Sequence, residues 1–273
     1  MSARWPAAAL LIVLCAPLLA KNGAYRSTKH GDPINGAQRV AALPRGSCVQ
    51  CHDAHSGHDV PSQRNDSGLF APDDNDLCFT CHAAPTRAGI FPGTGAWMQS
   101  THARAGSMYR SGMNSRPSTD ANKCVNCHDP HGVKDKNGVI PAMLAARDAD
   151  LCLTCHDGSR TTDLARDFLK PYRHPVGSIG RHQPGEDKPV NFSSMPANNR
   201  HAECSDCHNV HRLGADPAPP SPPLASSRLA GVSHVHAAYG GAGMAPTYTF
   251  VSADDPLPVN EYEICFKLSL IHI

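Results

Sequence analysis

The sequence predicts a mostly irregular chain with short α-helices, its interior filled by bound groups more than by side chains, and three observations carry that prediction. Aromatic residues are only 5% of the 273, so few large side chains are left to build a core. Pro and Gly number 24 and 22, which places breaks in regular structure along the whole chain. The 12 Cys and 17 His gather in short clusters instead of scattering, as ligands do. A formal net charge of +1 without any basic run gives no reason to expect nucleic acid or an anionic membrane as a partner.

Taken in order, Met1 to Ala20 reads as a signal peptide: Arg4 supplies the positive start, Ala7 to Leu19 is apolar, and Ala20 suits cleavage, which makes Lys21 the expected mature N-terminus. The apolar run is shorter than the roughly 20 residues that span a bilayer, and no later stretch is apolar enough, so no membrane span is expected after cleavage. Cys15 follows Ile12-Val13-Leu14, not the small residues of a lipoprotein signal, and is read as a passive leader residue. The expected location is periplasmic or extracellular.

The chain then spells C-x-x-C-H five times: Cys48-Cys51-His52, Cys78-Cys81-His82, Cys124-Cys127-His128, Cys152-Cys155-His156 and Cys204-Cys207-His208. Two thiols three residues apart can each add to a vinyl group of one haem, and the adjacent His then reaches its iron. Disulfides and zinc sites also use such Cys pairs, but neither requires a His after every second Cys. The expected cofactor is therefore haem c, five per chain, with His52, His82, His128, His156 and His208 as proximal ligands.

The motifs alternate in kind. Odd-numbered ones run on to another His three residues later, at His55, His131 and His211, while Asp76-Leu77-Cys78-Phe79-Thr80-Cys81-His82 and Asp150-Leu151-Cys152-Leu153-Thr154-Cys155-His156 are near copies of each other. On these residues the chain resembles the doubled C-x-x-C-H family of multihaem c-type cytochromes. The resemblance implies tandem dihaem modules, set here at 27–96, 97–168 and 169–273 with a haem-filled core. Glu263-Ile264-Cys265-Phe266-Lys267 opens a sixth motif, but Leu268 and Ser269 stand where Cys and His belong. The tail from Leu268 to Ile273 shares nothing with the other units and reads as translated read-through or a truncated gene fragment, so that a restored motif would make a sixth haem; alternatively Cys265 is a single-thioether site or a free thiol. Within the third unit 56 residues separate the last proximal His from Cys265, against 25 and 23 in the earlier units, and the Pro-rich stretch 214–227 is read as the insertion.

The ligand opposite each proximal His decides whether an iron carries electrons or binds substrate. His55, His131 and His211 lie too near their own proximal His to reach the far face of the same haem, so each is expected to serve a neighbour. A second set, His30, His102 and His174, recurs at intervals of 72 residues. Six candidates match six sites and predict bis-histidine iron with no open position, which suits electron transfer. His58, His182, His201, His234 and His236 are spare, with His201 and His234 in reserve. Met98, Met108, Met113, Met143, Met195 and Met244 do not recur in the repeat and are read as packing residues.

Helices are expected at the even motifs, including Ala142 to His156, and at Thr161 to Lys170, with loops at 113–122 and 214–227. The expected function is electron carriage between a redox donor and acceptor, either as a free carrier or inside a larger cytochrome assembly, with no catalytic residue. A reductase of a nitrogen or sulfur oxyanion is the rival, and it requires one iron with an open face. The apo chain is expected not to fold.

Overall fold

The computed structural model describes residues 24–53, 68–72, 74–85, 91–104, 124–174, 176, 202–214, 221–253 and 259–272, so the leader, His55, His58, His182 and His201 lie outside the described residues. Regular structure is sparse and short, as the Pro and Gly content dictates. Among the described residues there are seven α-helices: α1 (Asn75–His82), α2 (Thr94–Gln99), α3 (Thr101–Arg104), α4 (Cys124–Cys127), α5 (Asp148–Leu153), α6 (Cys204–Cys207) and α7 (Glu261–His272). Two small antiparallel hairpins complete the set, β1 (Lys134–Asp135) with β2 (Gly138–Val139) and β3 (His234–Ala238) with β4 (Thr247–Val251). No described helix is long and apolar enough to cross a membrane.

The side-chain core is slight. Five of the twelve buried hydrophobic residues are alanines, and one cluster joins Ala225, Val232 and Ile264, with Cys207, Leu229 and Val259 against it. Main-chain bonds do much of the rest, and they repeat. Asp53 N donates to Gly68 O at 2.6 Å and Phe70 N to Cys51 O at 3.1 Å; one unit later Asp129 N donates to Met143 O at 2.7 Å and Ala145 N to Cys127 O at 2.8 Å. His52 is thereby bridged to Leu69 and His128 to Leu144.

Helices do form at the even motifs, and the odd motifs are helical too: α4 and α6 span their C-x-x-C segments, and Cys48–Gln50 is a 3-10 turn. The long helix expected over Ala142 to His156 is interrupted. Pro141–Met143 is a 3-10 turn in which Ala142 and Met143 take left-handed conformations, with φ of 53° and 54°, and α5 begins only at Asp148. The carbonyls of Ala142 and Met143 are diverted to His128 and Asp129, which removes them from any helical ladder. Thr161 to Lys170 likewise holds one 3-10 turn, Asp167–Leu169, because Leu164 N is bonded instead to His156 O at 2.9 Å.

The extra length of the third unit includes ordered structure beyond the Pro-rich stretch. The hairpin β3–β4 lies between Leu229 and α7, and α7 packs on β3. Ala225 N donates to Val259 O at 2.7 Å and Glu261 N to Pro223 O at 2.9 Å, pinning the start of α7 to the 223–225 segment. Two buried polar residues finish the attachment. Glu263 accepts from Asn260 N at 2.9 Å and binds His236 Nδ1 at 2.7 Å, while Lys267 Nζ donates to Asp206 O at 2.9 Å and stands 3.4 Å from Asp206 Oδ1 and from Ser233 Oγ.

Candidate functional site

Each C-x-x-C segment is one turn long, which sets its two thiols and its His on one short platform. Caps from a neighbouring unit position these turns. Asn75, at the start of α1, accepts from Cys124 N at 3.0 Å, and Glu203, which caps α6, accepts from Ala149 N in α5 at 2.9 Å. Both junctions bring the start of an even-motif helix against the start of the next odd-motif helix, and at both the first cysteines touch: Cys78 is hydrogen-bonded to Cys124, and Cys152 to Cys204. That contact, with burial, pushes the Cys124 and Cys152 thiols well up. Within units the facing thiols are Cys51 with Cys78 and Cys81, Cys127 with Cys155, and Cys207 with Cys265. Burial raises Cys127 and Cys207 to about 11, so both are protonated at neutral pH. None of the eleven described cysteines is paired in a disulfide.

The histidines are oriented by their second ring nitrogen. His128 Nδ1 is 2.9 Å from Ala142 O and His208 Nδ1 is 2.8 Å from Arg228 O, so in each ring Nδ1 carries the proton and Nε2 keeps its lone pair for a metal. Burial lowers the pKa of His30, His102 and His128, which keeps these imidazoles neutral and able to ligate.

His131 and His211, each three residues after an odd motif, are steered by Asx turns. Asp129 Oδ1 accepts from His131 N at 2.8 Å, and Asn209 Oδ1 accepts from His211 N at 3.1 Å, each turning the chain away from its own proximal His. Two glycines then permit close approach: Gly132 (φ 75°) rests against Thr28 and Ala24, and Gly214 (φ 72°) against Thr101. The 24–30 segment of the first unit is thus laid against His131, and the 97–104 segment of the second against His211, through ring contacts of Tyr25 with His131 and Trp97 with His211.

The result is four histidine pairs, each joining one motif histidine to one candidate distal histidine. Ring centroids are 6.1 Å apart for His52 and His131, 5.8 Å for His82 and His30, 6.1 Å for His128 and His211, and 6.3 Å for His156 and His102. His174 is exposed in an open cleft of about 480 Å³ with Asp167, Phe168, Lys170, Tyr172 and Arg173, apart from any motif histidine of the described residues. His234 is buried with Nδ1 3.4 Å from Val232 O, and His236 is held by Glu263. Neither is placed at a described motif. Cys265 is exposed on α7, its Sγ 3.7 Å from Glu261 O, and the Lys267 side chain of the broken motif is buried in the contact with α6.

Sequence reasoning missed several contributors: Asn75, Glu203, the carbonyls of Ala142 and Arg228, and the Asx turns of Asp129 and Asn209. The last had a readable signal, since Cys-His-Asx-x-His places an Asx two residues before the distal candidate. The Asx turn supports a prediction. Asn209→Ala removes the bond from His211 N, about 1 kcal/mol, together with the Nδ2 bond to Gly231 O, and frees the His211 backbone; amide exchange at His211 should quicken at least about fivefold with the number of attached haems unchanged.

These residues fit haem c. A metal–imidazole bond is about 2.0–2.1 Å, and adding the distance of roughly 1.1 Å from ring nitrogen to centroid puts two imidazoles on opposite faces of one iron about 6 Å apart. All four pairs stand near that spacing, and each has a C-x-x-C pair adjoining one of its rings.

A family model described as the doubled CXXCH motif matches residues 41–86 and 117–161, the first two motif pairs. The chain therefore carries this motif twice over, and its CXXCH sequences indicate covalent attachment of haem c. No curated protein and no solved structure matches the chain.

Proposed function

We propose that this chain is an exported multihaem c-type cytochrome that passes electrons between a redox donor and acceptor through five covalently attached, bis-histidine haems. The observation that carries the reading is the unbroken neighbourhood of the attachment cysteines. Cys51 faces Cys78 and Cys81, Cys78 touches Cys124, Cys127 faces Cys155, and Cys152 touches Cys204. Groups anchored on these thiols would be neighbours in chain order, an arrangement that suits passing an electron from each to the next. The haem supplies the redox chemistry; the protein attaches, spaces and tunes it through ligands, hydrogen bonds and burial. At the irons of His52, His82, His128 and His156 a histidine on each axial face would leave no position for substrate, which supports a carrier over an enzyme. Its modules form one haem-filled body, and its partners are redox proteins, met singly or in a larger cytochrome assembly.

Spectroscopy on the exported protein tests this. Reduction should give the sharp bands of low-spin haem c, with the spectrum unchanged by carbon monoxide. Carbon monoxide binding at one haem would instead favour the oxyanion reductase, which needs an open iron. Replacing one attachment pair, Cys48→Ala with Cys51→Ala, should lower the haem count by one and leave the other sites loaded.

A further inference from the structure

We propose that the axial ligands interlock the modules, with His131 of the second unit completing the iron of His52, His211 of the third completing that of His128, and His30 and His102 completing those of His82 and His156. This inference rests on the haem reading above and adds to it which histidine serves which iron.

Four observations converge. The spacing of each pair matches two imidazoles across one iron, and among the described residues every histidine pair joins a motif histidine to a distal candidate. The pairing is also regular. The odd motifs of His52 and His128 are each completed from the unit after, at intervals of 79 and 83 residues (131 − 52 and 211 − 128), and each described even motif from the segment before it, at intervals of 52 and 54 (82 − 30 and 156 − 102). The cross-unit reach has its own supports, the Asx turns at Asp129 and Asn209 and the glycine contacts of Gly132 with Thr28 and Gly214 with Thr101. Finally, Thr101 N donates to Leu213 O at 2.8 Å and Arg104 Nη2 to Gly214 O at 3.2 Å, fixing the segment that carries His102 beside the turn that carries His211. One contact between units therefore places two ligands at once, one for an odd iron and one for an even iron. A unit cut from the chain would lose the ligand of its odd haem, so a dihaem module is not a self-sufficient carrier.

The test is a pairwise deletion on the full exported chain. His131→Ala should retain the wild-type haem count by mass and gain one carbon monoxide-binding, high-spin haem. Adding Cys48→Ala and Cys51→Ala to that variant should remove the new carbon monoxide-binding haem. Adding Cys124→Ala and Cys127→Ala, within the unit that carries His131, should leave it in place. The opposite pattern, or no new high-spin haem, overturns the assignment. Should His131→Ala fail to be exported, His131→Met keeps a ligand there, and the proposal then requires one low-spin haem to move to higher potential and to vanish with the first cysteine pair. The haem reading fails separately, through a wild-type chain that carries no haem.

Discussion

Lys267→Met is expected to destabilise the third unit by about 3–5 kcal/mol, because it leaves the buried Asp206 carboxylate without its cation. Lys267 is 1% exposed and Asp206 is 5% exposed, and the ammonium also donates to the Asp206 carbonyl at 2.9 Å. Asp206 is already committed, since its other oxygen accepts from Glu203 N at 2.8 Å in the capping box of α6. Losing the lysine thus loosens both α7 and the turn that presents Cys204, Cys207 and His208. The double variant Lys267→Met with Asp206→Asn removes the charge from both sides and should recover most of the loss. Denaturant midpoints and amide exchange over 204–207 and 261–268 measure both; a single variant with wild-type protection would show that the ion pair is dispensable.

A larger effect is expected when the chain is made without haem attachment: it should show no cooperative unfolding transition. Its buried hydrophobic residues are few and small, and its hydrophobic cluster draws on the third unit alone. Bound porphyrins would bury far more apolar surface than Ala225, Val232 and Ile264 together, and the covalent thioethers and axial bonds tie segments distant in sequence, as a structural metal does in small metal domains. The haem-free chain should therefore exchange its amides quickly and expose all its thiols to alkylation. A cooperative transition in the haem-free chain would mean that side chains suffice for the fold.

Much of the candidate site was legible in the sequence because its chemistry is local. A C-x-x-C-H run needs only one turn of chain to be recognised, and the distal candidates were visible through repetition: His131 and His211 by their place after a motif, His30 and His102 by their equal spacing. Which pairs meet was not legible, because His52 and His131 lie 79 residues apart (131 − 52) and meet through packing of Gly132 on Thr28, a contact between segments distant in sequence. The fold was legible in character and not in detail. Few aromatics and many Pro and Gly foretold irregular structure, yet the break at Ala142 escaped because an alanine has no sequence mark for a left-handed conformation. The hairpin β3–β4 escaped because each of its strands is five residues long, too short for alternation to mark it in a Pro- and Gly-rich surrounding. Lys267 read only as a spacer residue in the opening of the sixth motif, and the buried Asp206 beside it gives the residue a role.

The central claim is that five motifs hold five haems on one exported chain. Intact mass of the protein secreted from a host that attaches haem c tests it most directly: the mature chain should gain the mass of five haem groups and no zinc. A chain that matures without added haem, or with its cysteines paired as disulfides, would contradict it.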